Sequence, residues 1–130
     1  MDNNQPIGIF DSGIGGTSIW QEIHQLLPNE KTIYLADSKN APYGQKTKQE
    51  IIALSMKNTD FLLKMKCKLI VVACNTATAE AIAQIRSGNK IPTFFDGQHT
   101  RHGNFVLESR RNYALRRLRP LARRALMTRR

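Results

Sequence analysis

The sequence predicts an α/β fold: an open, mostly parallel sheet with flanking helices, followed by an irregular arginine-rich tail. Three observations predict it. Short apolar runs alternate with stretches of helical periodicity in the order β-α-β-α-β-α-β, which favours parallel pairing through right-handed crossovers. The run at 69–73 is apolar throughout, as a strand covered on both faces should be. The three stretches that carry chemistry, at 11–16, 42–44 and 74–76, each follow a strand. They should therefore meet at the carboxyl edge of the sheet, where open α/β sheets bind ligands.

Each element has a local reason. Pro6-Ile-Gly-Ile-Phe10 is a short apolar strand, and Asp11-Ser-Gly-Ile-Gly-Gly16 follows at once. Ile19, Ile23, Leu26 and Leu27 then lie at helical spacing, and Pro28 marks the stop. Glycines in such a turn permit positive φ and close approach of a ligand, and backbone N–H groups there can hold an anion. The spacing is Gly-x-Gly-Gly without a following Gly-Lys-Ser/Thr, so dinucleotide and P-loop readings are weak. A tight turn without a ligand is the simpler alternative. Asp11 and Ser12 weigh against it by placing a carboxylate and a hydroxyl at the strand end.

Thr32-Ile-Tyr-Leu-Ala36 is a second strand, and 37–45 is a loop holding Ala41-Pro-Tyr-Gly44. Pro42 and Gly44 shape the turn and present Tyr43, which taken alone reads as ordinary surface packing. Thr47-x-x-Glu50 is a capping box that opens a long helix. Ile51, Leu54, Phe61, Leu62 and Met65 form its expected buried stripe, interrupted by Asn58, and Met56 and Met65 read as core. After the run at 69–73 come Cys74, Asn75, Thr76 and an alanine-rich helix, and Asn75 or Thr76 can cap it. A helix start carries partial positive charge, which favours a thiolate over a thiol. Cys74 is thus placed like a base or nucleophile, though a small buried cysteine ending a strand would look the same. A turn at 87–90 leads to a fourth strand at 91–95.

Composition bounds the function. The chain has 130 residues, enough for one domain with a real core. No apolar run approaches a membrane span, and no signal peptide opens the chain. The two cysteines, Cys67 and Cys74, form no Cys-x-x-Cys pattern, so a reducing cytoplasmic setting is expected. No metal-ligand spacing stands out. The net charge of +10 is unevenly spread: residues 1–92 carry nine Lys, one Arg and eight acids, whereas residues 93–130 carry ten Arg, no Lys and two acids. Nothing in the near-neutral first part calls for nucleic acid.

Taken together in this order and spacing, Asp-Ser-Gly-Ile-Gly-Gly, Ala-Pro-Tyr-Gly and Ala-Cys-Asn-Thr-Ala-Thr resemble the amino-terminal half of the glutamate racemases, over about residues 6–92. The resemblance implies one half of a two-domain racemase fold. It also implies cofactor-independent interconversion of L- and D-glutamate for peptidoglycan synthesis in the cytoplasm. Its implied site has Cys74 as the catalytic base on one face of Cα. Asp11 and Ser12 lie at the amino group and reacting centre, Tyr43 and Gly44 hold the substrate, and Asn75 and Thr76 bind its α-carboxylate. Glutamate is the implied partner, and a homodimer is compatible with it.

An amino-acid Cα–H is a very weak carbon acid, so removing it needs a base at close range and stabilisation of the developing charge. Inversion needs a second acid on the opposite face, which the family supplies as a second cysteine in a Gly-Cys-Thr-His stretch of the carboxyl half. This sequence has no cysteine after Cys74. Cys67 lies at the other end of the same strand, about 23 Å away at the usual rise per residue. Bases flanking one carbon must each come within about 3–3.5 Å of it.

The chain therefore reads as an α/β domain at 6–95 and a basic tail at 96–130. The exchange of lysine for arginine suggests a change of coding origin, such as a frameshift, and an enzyme truncated and impaired as a single chain. The alternative is a non-catalytic binding module whose tail contacts nucleic acid or an acidic surface.

Overall fold

The computed structural model describes residues 4–91 and 93–95. The expected tail at 96–130 lies outside the described residues. Within them, strand β1 (Ile7–Asp11) is followed by α1 (Thr17–Leu26), β2 (Thr32–Ala36), α2 (Lys48–Lys64), β3 (Leu69–Val72), α3 (Asn75–Ser87) and β4 (Thr93–Phe95). Two single 3-10 turns, Ser38–Asn40 and Tyr43–Gln45, occupy the loop between β2 and α2. The strands form one sheet in the order β2-β1-β3-β4, every pair parallel. The expected α/β architecture is therefore the observed one.

Strand order and crossover handedness place the helices. From β1 the chain steps outward to β2, then returns past β1 to β3 and on to β4. Right-handed crossovers then put α1 on one face and α2 with α3 on the other. Two cores result. On the α1 face, Ile7, Ile9, Leu69 and Val71 pack with Ile19, Ile23 and Leu27. On the other, Phe10, Ile70 and Val72 pack with Ile51, Leu62, Ala77, Ala81 and Ile85. The alternation along β1 and β3 follows from the two-residue period of a strand. Both faces are covered, which explains why β3 reads as an unbroken apolar run.

Local signals behave as their chemistry dictates. The capping box forms: the Glu50 N–H donates to Thr47 Oγ1 at 3.2 Å and the Thr47 N–H to Glu50 Oε2 at 2.8 Å. The buried face of α2 is not the expected stripe. Ile51 and Leu62 are buried, but Phe61 and Met65 are 47% and 48% exposed, and Ser55, Asn58 and Thr59 lie inward. Small and polar residues take those positions because α2 packs closely on α3, whose buried face carries Ala77 and Ala81.

Cys67 ends this helix as well as preceding β3. Its N–H donates to Leu62 O at 3.2 Å and the Lys66 N–H to Leu63 O at 2.9 Å, with Lys66 in the left-handed region at φ 59. That is a Schellman closure, with Cys67 buried beyond it. A Cβ on Gly8 would stand 2.9 Å from Cys67 Sγ, so only a glycine in β1 leaves room for the sulfur. Burial pushes the Cys67 thiol pKa up. Lys68 and Glu30, both largely buried, form an ion pair at this amino end of the sheet. Among the described residues no helix is long and apolar enough to cross a membrane.

Candidate active site

The order β2-β1-β3 makes the gap between β1 and β3 the point where the chain's direction of travel reverses. Loops leaving the carboxyl ends of strands diverge at such a point and open a crevice. Here those loops are residues 12–16 and the start of α3, so Asp11, Ser12 and Cys74 are neighbours although 62 residues separate Ser12 from Cys74.

Cys74 itself caps α3. Its backbone is extended (φ −93, ψ 120), and its sulfur accepts the Ala77 N–H at 3.4 Å. The sequence pointed to Asn75 or Thr76 as the cap; both instead lie inside the first turn of the helix. The reason is that β3 ends at Val72, leaving Cys74 as the last residue before the backbone turns helical. Cys74 is 4% exposed, and its Sγ lies 3.7 Å from Ser12 Oγ.

Asp11 organises the glycine-rich loop. One carboxylate oxygen accepts the Ser12 N–H at 2.7 Å and lies 3.4 Å from Ser12 Oγ; the other accepts the Gly16 N–H at 2.7 Å. The Tyr34 hydroxyl donates to Gly13 O at 3.0 Å. The positive φ that glycine permits is not used: no described glycine has one. Gly16, at φ −74, is required for space. A Cβ there would meet Ala73 Cβ and Tyr34 Oη, each at 2.8 Å.

The third motif joins from the α2 side. Tyr43 is 1% exposed, so ordinary surface packing does not describe it. Its hydroxyl donates to Asp37 Oδ2 at 2.5 Å and accepts from Asn58 Nδ2 at 2.7 Å, while Asn40 Nδ2 donates to Asp37 Oδ1 at 2.9 Å. Tyr43 belongs to the same core cluster as Cys74. Gly44 beside it is exposed, with open space above its α-carbon. Asn75 is exposed and Thr76 half-buried at the helix start. All seven expected site residues thus lie on the carboxyl side of the sheet.

Asp37 and Asn58 were not anticipated. Signals existed: Asp37 follows a strand as Asp11 does, and Asn58 breaks an otherwise apolar stripe. Their partners could not be read locally. Burial tends to raise the Asp37 pKa, but hydrogen bonds from Tyr43, Asn40 and Asn58, with Lys57 nearby, outweigh it and hold the carboxyl below its ordinary value. Burial, then the hydrogen bond to Asp37, push the Tyr43 phenol well above its own. A carboxyl with a lowered folded pKa contributes stability that is complete above the unfolded pKa and is lost as pH falls through the folded one. Asp37→Asn should therefore be destabilising at neutral pH, with the deficit shrinking below about pH 4. Urea unfolding of both proteins across that range checks this; a pH-independent deficit would contradict it. Among the described residues no cluster of His, Cys, Asp and Glu could hold a metal ion.

No protein-family model matches the chain. A glutamate racemase from Clostridium botulinum (strain Hall) is 51% identical over 90 residues, which cover 69% of this chain and 35% of that protein. Another, from the Alaska E43 strain, is 54% identical over 87 residues, covering 67% and 34%. Among solved structures, Thermus thermophilus glutamate racemase in complex with beta-chloro-D-alanine aligns with a TM-score of 0.71 at 37% identity, covering 73% of this chain and 37% of that one. Francisella tularensis glutamate racemase in complex with D-glutamate aligns with a TM-score of 0.69 at 38% identity, covering 72% and 36%. This chain thus spans about a third of the length of the relatives it matches.

Proposed function

We propose, from the premise that the matched part of this chain belongs to the amino-terminal part of the glutamate racemase family, that its site binds glutamate and moves the proton on one face of Cα. The observation that carries this reading is the placement of Cys74. Its sulfur lies at a helix start, at the reversal point of the sheet, 3.7 Å from a serine hydroxyl. In the proposed step the Cα–H bond breaks, its proton passes to the Cys74 sulfur, and the electron pair stays on the substrate. The thiol proton can exchange with water before the return step, which delivers a proton from sulfur to the same face of the carbon. Asn75 and Thr76, at the first turn of α3, would receive the α-carboxylate, because the positive end of the helix dipole favours an anion there. Asp11 still has lone pairs unused by the loop and can accept from the substrate ammonium. Tyr43 and Gly44 would hold the remainder of the substrate. On this reading the activity would serve peptidoglycan synthesis in the cytoplasm.

Binding can be tested without turnover. Titrating D-glutamate into the isotopically labelled 130-residue chain should shift the amide signals of Ser12, Gly13, Gly44, Asn75 and Thr76. Those of Lys66 and Cys67, at the opposite end of β3, should stay in place. Uniform shifts, or none at the first group, would refute the assignment.

A further inference from the structure

The loop that carries Ser12 has little packing of its own. A Cβ on Gly13 would have nothing within 4 Å, and Ile14 at the tip is 77% exposed. Asp11 pins the two ends, through the N–H groups of Ser12 and Gly16. Between them, the Gly13 carbonyl takes a bond from a side chain on a different strand, the Tyr34 hydroxyl at 3.0 Å. Tyr34 is half-buried, paired in register with Ile9, and its ring packs on the α1-face core. A neighbouring hydroxyl on that face, Thr32 Oγ1, accepts the Trp20 indole N–H at 2.9 Å. The strand is thus tied to α1 at its first residue, two positions before Tyr34. The bare α-carbon of Gly16 leaves the space that the Tyr34 hydroxyl occupies.

We propose that Tyr34 is a positioning residue: its hydroxyl latches the 12–16 loop to β2 and so holds the Ser12 hydroxyl against the Cys74 sulfur. The latch stands on this geometry alone; its importance for proton transfer rests on the racemase reading. Burial and the nearby Asp11 carboxylate push the phenol up to about 12, so it stays a protonated donor at neutral pH. Losing one such hydrogen bond should raise the population of the open loop about five-fold.

Tyr34→Phe removes the hydroxyl and keeps the ring's packing. In the 130-residue chain, alkylation by iodoacetamide, read site by site by mass spectrometry, should be about five-fold faster at Cys74 and unchanged at Cys67. Amide hydrogen exchange should quicken at 13–16 and not at 70–72. An unchanged Cys74 rate would overturn the latch, as would equal acceleration at both cysteines, which reports general loosening. In deuterium exchange at the Cα of D-glutamate, the variant should lose kcat with KM little changed. If the unsubstituted chain shows no such exchange, the racemase reading fails, and the alkylation comparison still decides the latch.

Discussion

In deuterated water the purified 130-residue chain should exchange the Cα hydrogen of D-glutamate while leaving its configuration unchanged, and Cys74→Ser should slow that exchange by about 10²–10⁴-fold. Exchange needs one base on one face of the carbon. Inversion needs a second proton donor on the other, and the chain's remaining cysteine cannot serve. Cys67 is buried before β3, against Gly8 and Leu62, whereas Cys74 lies beyond that strand's far end. The two are separated by about seven residues of extended chain, roughly 23 Å. D-glutamate is the enantiomer expected from the family resemblance, in which the cysteine of this half serves that face. Serine is the informative replacement, because its oxygen can still accept the Ala77 N–H and preserve the helix cap. Proton NMR reports exchange, and polarimetry reports inversion. Sustained inversion lost in Cys74→Ser would mean that a second acid exists; exchange undiminished in that variant would remove Cys74 from the mechanism.

The second large effect is on stability. Asp11→Ala should cost about 2–4 kcal/mol, because it orphans two backbone N–H groups that now share one carboxylate. Both bonds are 2.7 Å long, as charge-assisted bonds are, and Asp11 is buried. For a domain of this size that lowers the melting temperature by about 10–25 °C. Ser12→Ala removes only two long hydroxyl contacts, to Asp11 at 3.4 Å and to Cys74 Sγ at 3.7 Å, and should stay within about 0.5 kcal/mol of the unsubstituted chain. Chemical denaturation of the pair checks the contrast. Equal losses would show that the loop, not the carboxylate, sets stability here. Asp11→Asn should fall between them, since an amide offers one acceptor oxygen and turns donors toward the other N–H.

What the sequence determined by itself is what depends on neighbours in the chain. The strand at 32–36, the stop at Pro28 and the Thr47–Glu50 capping box each rest on contacts within a few residues, and each is present. Alternation of strands and helices was enough to place the three motifs on one side of the sheet, because parallel connections permit little else. Tertiary structure decided what depends on which surfaces meet. The close approach of α2 and α3 turned Ser55, Asn58 and Thr59 inward and left Phe61 and Met65 outside, against hydrophobicity alone. The end of β3 at Val72 made Cys74 rather than Asn75 or Thr76 the helix cap. The bond from Tyr34 to Gly13 spans 21 residues, and that from Asn58 to Tyr43 spans 15. A hydrogen bond acts over about 3 Å, so such partners are chosen by the folded chain and leave no periodic trace in its sequence.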